Sequence, residues 1–307
     1  MRLRHIVILL LIGLTPVHAQ YFGNGLMSLQ GSDGLTQSWF RRMVWFDSAP
    51  RQVVMTVVTN GFADVYVNGR NVSSAVFVPC RTSLSDDVLG VSFDVTRFFH
   101  SGNNAVALWQ SPQSGQTTRP VVAVELSGIR DDGTRFCITG SGEWLCKAAS
   151  RRFLPSGEEV QEGSTSVDSW THGEMEVALW SPPEELDADL FGGYEIQLPY
   201  ANQLYSGITT PADSTWVEND SLVCRFDKVA EGRVRVTLRN AKKGERISIN
   251  GLQYICTGQT DEQAFHKFTT IPCRTVVITG DSRFSPSQVQ TVEAITVVPR
   301  ANKSYNY

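Results

Sequence analysis

The chain is poor in the residues that usually carry chemistry. It has five histidines in 307 residues, and none stands at metal-ligand spacing to another. Its six cysteines, Cys80, Cys137, Cys146, Cys224, Cys256 and Cys273, form no CxxC pair and no Cys/His zinc pattern. Pairs such as Ser141-Gly142 lack the nucleophile-elbow pattern and its partners. Charge of one sign is also missing. With 27 Lys and Arg against 31 Asp and Glu, and the basic residues scattered, there is no electrostatic footprint for nucleic acid. The apolar run at 6–14 is too short to span a bilayer, no later run is long enough either, and no stretch repeats an amphipathic helical period.

Carboxylates are present but unpromising. Asp86-Asp87, Asp131-Asp132, Glu158-Glu159 and the acidic run 184–189 lie in turns or polar connectors, where such groups are ordinarily solvated. Two-carboxylate glycoside hydrolysis needs a facing pair in unlike environments. Nothing in the spacing provides one.

What the chain does have is strand pattern. Val65 and Val67 alternate with Tyr66, and Asn68-Gly69 then supplies the positive φ angles of a tight hairpin. Val91, Phe93 and Val95 share one face of a further strand. Residues 105–109 (AVALW) return as a buried one. The runs 53–59 and 121–126 are apolar and β-branched, and turns at Asn60-Gly61 and at 131–133 separate short strands at sandwich spacing. Residues 38–46 (SWFRRMVWF) suit an edge strand or a short helix. Residues 175–180 (MEVALW) predict another strand.

Other stretches set boundaries. Arg2 and Arg4, the apolar residues 6–14 and the small-residue site at 17–19 make 1–19 a secretory signal, which predicts a periplasmic or secreted protein. Residues 150–169 are polar and aperiodic, so a surface loop or linker is expected. Proline-dense residues 182–213 predict an extended connector. In 233–239 (RVRVTLR) one face is apolar and the other charged, as in a half-exposed strand whose charges protect an edge. An even cysteine count permits disulfides, and Cys137 with Cys146 brackets a turn that a bridge could staple. Buried free thiols suit Cys224, Cys256 and Cys273. The expected division is a signal over 1–19, a first β-sandwich over 20–181, a connector over 182–213, a second sandwich over 214–299 and a tail over 300–307.

The motif VYVNGRNV…VPCRTSLSDDVLGVSFDVTRFFHSGNNAVALW resembles the N-terminal, galactose-binding-like jelly roll of bacterial α-L-rhamnosidases. Asn68-Gly69, Val72, Pro79, Thr82, Val88, Phe93, Asp94-Val95-Thr96, Gly102 and Asn104-Ala105 carry the likeness. Gly232, Val234, Val236, Gly244, Ile247, 258–262 and Phe268 are similar, less specifically, to the concanavalin-like sandwich that follows in those enzymes. The resemblance implies an all-β chain of two sandwiches. The helical barrel that holds the family's catalytic carboxylates has no counterpart in the pattern, so catalysis does not carry over. Two further departures are Arg81 and Leu84, which stand where relatives often carry aromatics, and 109–112 (WQSP), which replaces a glycine-rich strand end.

The expected role is therefore carbohydrate binding, with a rhamnose-containing plant polysaccharide as partner. The candidate contacts are Trp109 as a stacking platform before the loop 110–119, with Arg119, Asn104 and Arg81. The alternative that Trp109 and Trp180 only close a core stays open. No cofactor is expected apart from a structural calcium, for which Asp86 and Asp87 are the candidates. The other functions weighed are an α-L-rhamnosidase-type hydrolase and a structural subunit with a protein partner.

Overall fold

A computed structural model describes residues 25–81, 83–163, 170–173, 178–187, 194–197 and 203–299. The signal and tail lie outside them. Among the described residues the regular elements are strands in three sheets, joined by turns and short 3-10 segments. The fold is all-β.

The first sheet runs in the order β13 (Glu184–Leu186), β1 (Leu26–Ser28), β9 (Val122–Ile129), β3 (Gln52–Thr59), β7 (Val88–Asp94) and β14 (Tyr194–Gln197), with β10 (Arg135–Ile138) beside β9. The second begins with β16 (Ser214–Glu218), β17 (Ser221–Arg225), β23 (Thr275–Gly280), β19 (Arg246–Ile249) and β20 (Leu252–Ile255). It continues unbroken through β12 (Glu159–Glu162), β11 (Leu145–Phe153), β2 (Thr36–Phe46), β8 (Gly102–Ser111), β4 (Phe62–Val67) and β5 (Arg70–Asn71). The third holds β21 (Asp261–Phe265), β18 (Glu231–Arg239), β24 (Val289–Pro299), β15 (Leu204–Pro211) and β6 (Ala75–Val76), with β22 (Ile271–Pro272) beside β18.

The second sheet thus serves two sandwiches. Its β11-β2-β8-β4 half packs on the first sheet through Phe40, Val65, Leu108, Met55, Val91 and Val124. Its other half packs on the third sheet through Ile247, Leu252, Ile278, Val234, Val236 and Ala294. The joint is the parallel pairing of β12 with β20, Glu159 opposite Leu252 through Glu162 opposite Ile255.

Alternation sets the faces. Ala63, Val65 and Val67 point into the first core, and Asp64 and Tyr66 point away from it. Asn68 and Gly69, at φ 49° and 77°, make the turn from β4 to β5. A Cβ on residue 69 would also sit 2.2 Å from Nε2 of the exposed His172 ring, which would have to swing aside. β8 is buried on both faces because its outer side, at Ala107, lies under Trp39 and Trp170. That is why 105–109 reads as a continuous apolar run rather than an alternating one.

Several expectations needed correction. Residues 38–46 form neither an edge strand nor a helix. β2 lies between β8 and β11, and its Arg41 side chain is buried by donating Nη2 to the His172 and Gly173 carbonyls. The polar stretch 150–169 contributes the end of β11 and all of β12, and the rest of it is outside the described residues apart from 154–158 and 163. The proline-dense connector pairs after all, as β13, β14 and β15. Proline is tolerated there because Pro211 ends a strand and Pro182 and Pro183 precede one. The strand 233–239 is internal, paired with β21 on one side and β24 on the other. Of residues 175–180, only 178–180 are described, as a turn and not a strand. Cys137 and Cys146 are free, and Cys146 packs into the first core instead.

Candidate functional site

Where the two sandwiches meet, an open cleft of about 560 Å³ is lined by residues from both. The first sandwich supplies Phe62 from β4, and Arg81, Leu84 and Gln113 from loops, while Phe77 follows β6, the segment that pairs onto β15 of the third sheet. The second supplies Glu231 and Gly232 at the start of β18, Gly251 from the β19–β20 turn and residues 268–271. The floor is aromatic. Phe62 and Phe268 lie parallel, centroids 6.3 Å apart, and Phe77 meets Phe62 edge-on at 5.4 Å. Ser83, Leu84 and Glu231 are exposed at the rim, and Thr270 donates its hydroxyl to Glu231 at 2.7 Å. An apolar floor with a few polar rim groups is the usual composition of a small-ligand site. Among the described residues lining this cleft, Glu231 is the single carboxylate.

Behind the cleft wall is a polar cluster. Glu159, 0% exposed, pairs with the equally enclosed Arg151 at 3.0 Å. The carboxylate also accepts from Gln37 Nε2, the Lys267 backbone N–H and Thr269 Oγ1. Burial alone would raise its pKa. The Arg151 charge and these donors outweigh burial and hold Glu159 below the ordinary carboxylate value. Glu158-Glu159 was expected to be solvated, and for Glu159 that is corrected. His266 lies next to the cluster with its pKa pushed down, chiefly by burial. As the Nε2–H tautomer it donates to the Asn250 carbonyl at 2.9 Å, leaving Nδ1 to face the Val234 N–H.

The four sugar-contact candidates are scattered. Arg81 lines the cleft, but its guanidinium is committed to the carbonyls of Thr59, Gly61 and Asp87. Burial lowers its pKa to about 10. Trp109 is half-buried on the outer face of β8, beside the cleft. Its Nε1 donates to Gln37, its ring meets Trp39 edge-on at 5.5 Å, and Lys267 Nζ sits 4.5 Å from the ring centre while pairing with Asp64. Arg119 is elsewhere, bridging Ser28, the Leu29 carbonyl and Glu184.

Asn104 is at the far end of β8 and 0% exposed. Its carbonyl oxygen accepts from Asn68 Nδ2 and the His100 N–H, and its amide donates to the His100 and Gly102 carbonyls. All of its hydrogen-bonding capacity is used in tying the Asn68-Gly69 turn to the 98–105 segment. Of the calcium candidates, Asp86 accepts from Thr118 Oγ1 at 2.6 Å. Among the described residues no group of three metal-ligating side chains is found. No described helix is long and apolar enough to cross a membrane.

Phe62, Phe77, Phe268 and Glu231 escaped sequence reasoning. Each reads locally as an ordinary strand or turn residue, and only the meeting of segments some 200 positions apart gives them a common surface.

Residues 48–190 match the model of the alpha-L-rhamnosidase N-terminal domain. Among solved structures, the chain is similar to an alpha-L-rhamnosidase from Dictyoglumus thermophilum, with TM-score 0.74 and 18% identity over 90% of this chain and 34% of that one. The Streptomyces avermitilis alpha-L-rhamnosidase complexed with L-rhamnose gives 0.71 and 17%, over 87% and 29%. The enzyme from Aspergillus terreus gives 0.73 and 15%, over 91% and 36%. No curated protein matches. The sequence match covers most of the first sandwich, and the structural likeness shows that both sandwiches share the fold of these enzymes. The chain spans only about a third of their length.

Proposed function

From a chain whose residues 48–190 match an α-L-rhamnosidase N-terminal domain, we propose an exported, non-catalytic carbohydrate-binding or accessory protein that takes a saccharide in the inter-sandwich cleft. The observation that carries this reading is the cleft's composition. Phe62 offers an aromatic surface to the C–H face of a pyranose, and Glu231 and Ser83 at the rim offer polar groups to its hydroxyls. A rhamnose-containing polysaccharide is the proposed ligand class. Such sugars carry a methyl group, and Leu204, Ile271 and Val297 extend the apolar lining. Among the described residues of the lining Glu231 is the single carboxylate, whereas a two-carboxylate hydrolysis uses a facing pair.

Calorimetry with rhamnose-containing oligosaccharides, run beside an aryl-rhamnoside hydrolysis assay, tests the reading. We expect binding without turnover. The Phe62→Ala variant is expected to weaken affinity by about tenfold or more while keeping a cooperative melt, as loss of one aromatic contact implies. Turnover that copurifies with the chain, or no binding by wild type, would overturn it.

A further inference from the structure

The cleft wall is held by a carboxylate that does not line the cleft. Glu159 Oε2 takes the Lys267 N–H at 3.0 Å and the Thr269 hydroxyl at 3.2 Å. These two residues bracket Phe268 and lead into Thr270 and Ile271, so both bonds fix the wall that the second sandwich presents. Glu159 Oε1 faces the other way, to Arg151 Nη1 at 3.0 Å and Gln37 Nε2 at 3.2 Å. Gln37 accepts in turn from Trp109 Nε1, on the first sandwich. The Glu159 backbone N–H completes the arrangement by donating to the carbonyl of Gly251, another lining residue.

We propose that Glu159 is the positioning residue of the cleft, setting the place of residues 267–271 relative to the first sandwich. This rests on the cleft being the saccharide site. The residue type follows from the partners. Four donors converge on two oxygens, and only a carboxylate accepts on both sides. A glutamine would keep the shape but turn an NH2 toward either the Lys267 N–H or Arg151, leaving donor against donor. The wall or the arginine must then move.

The test uses the full chain, with two readouts on wild type, Glu159→Gln and a control, Leu108→Ala, which opens the first core away from the cleft. Amide hydrogen exchange of a peptide covering 265–272 reports the wall without any ligand. Calorimetry with a rhamnose-containing oligosaccharide reports binding. In Glu159→Gln, exchange at 265–272 is expected to quicken at least tenfold and affinity to fall about tenfold or more, the scale of one lost charged hydrogen bond. In Leu108→Ala both should remain as in wild type. Unchanged exchange at 265–272 in Glu159→Gln, or an equal loss in the control, overturns the positioning role. If wild type binds no saccharide, the functional reading fails and exchange alone decides the positioning role. Should Glu159→Gln not fold, Thr269→Val removes one of the two donors, and quickened or unchanged exchange in that variant decides in the same way.

Discussion

The two cores and the junction between them are held by different means. Each core is a two-layer apolar packing in which alternate residues of facing sheets interdigitate, Leu108 against the first sheet and Ile278 against the third. The junction is polar where it is most enclosed, with the Arg151–Glu159 pair and the hydrogen bonds from Gln37, Lys267 and Thr269. A phenylalanine cluster of Phe77, Phe153 and Phe268 stands beside it. Apolar packing is non-directional, so a core accepts small shifts. A buried ion pair is rarely a net gain in stability, yet its geometry is fixed by every donor it must satisfy. What the difference teaches is that stability resides mainly in the cores, and the relative placement of the cleft walls resides in the junction.

The sharpest break in this comparison is Arg151→Ala. It leaves Glu159 buried without its partner and is expected to cost about 3–5 kcal/mol in urea unfolding. The double replacement Arg151→Met with Glu159→Leu should recover most of that loss, since no charge is then stranded. A double variant as unstable as the single would mean the pair contributes net stability after all. Next is Leu108→Ala in the first core, expected to cost about 2–5 kcal/mol through lost burial and the cavity left behind. It has no such rescue by a second deletion.

The smallest effect is on pH dependence. Both His266 and Glu159 have folded pKa values below their unfolded ones, so the unfolded chain binds more protons as pH falls. Their stabilisation is complete at neutral pH. It starts to decline below about 6.5 for the histidine and below about 4.3 for the glutamate, and is fully lost only beneath their lower folded values. Urea midpoints at pH 7, 5 and 3 should fall in that order, and His266→Gln should flatten the upper step. A midpoint that stays level from 7 to 5 would remove the histidine from the account.

Much of the fold was legible because strand faces are a local property. The 62–109 stretch displays its register through Val65, Val67, Val91 and Phe93, and the Asn68-Gly69 turn is where the pattern puts it. The errors share a cause. Composition alone misplaces the polar run at 150–169 and the charged face at 233–239: β12 is paired by β11 and by β20 of the second sandwich, and β18 by β21 and β24 of its own sheet. Asn104 shows the same for the site. A motif asparagine next to a glycine turn resembles a ligand contact until its four hydrogen bonds are traced within the fold.

The sequence by itself determined an all-β chain, its inward and outward faces, and its likeness to the front of α-L-rhamnosidases, because period-two burial and turn chemistry are written in neighbouring residues. Only the tertiary structure decided that one sheet runs through both sandwiches, that Glu159 is buried and not solvated, and that Phe62 and Phe268 share a cleft. Those facts depend on pairing between segments far apart in the chain, and no local pattern encodes which distant strand will cover a given charge.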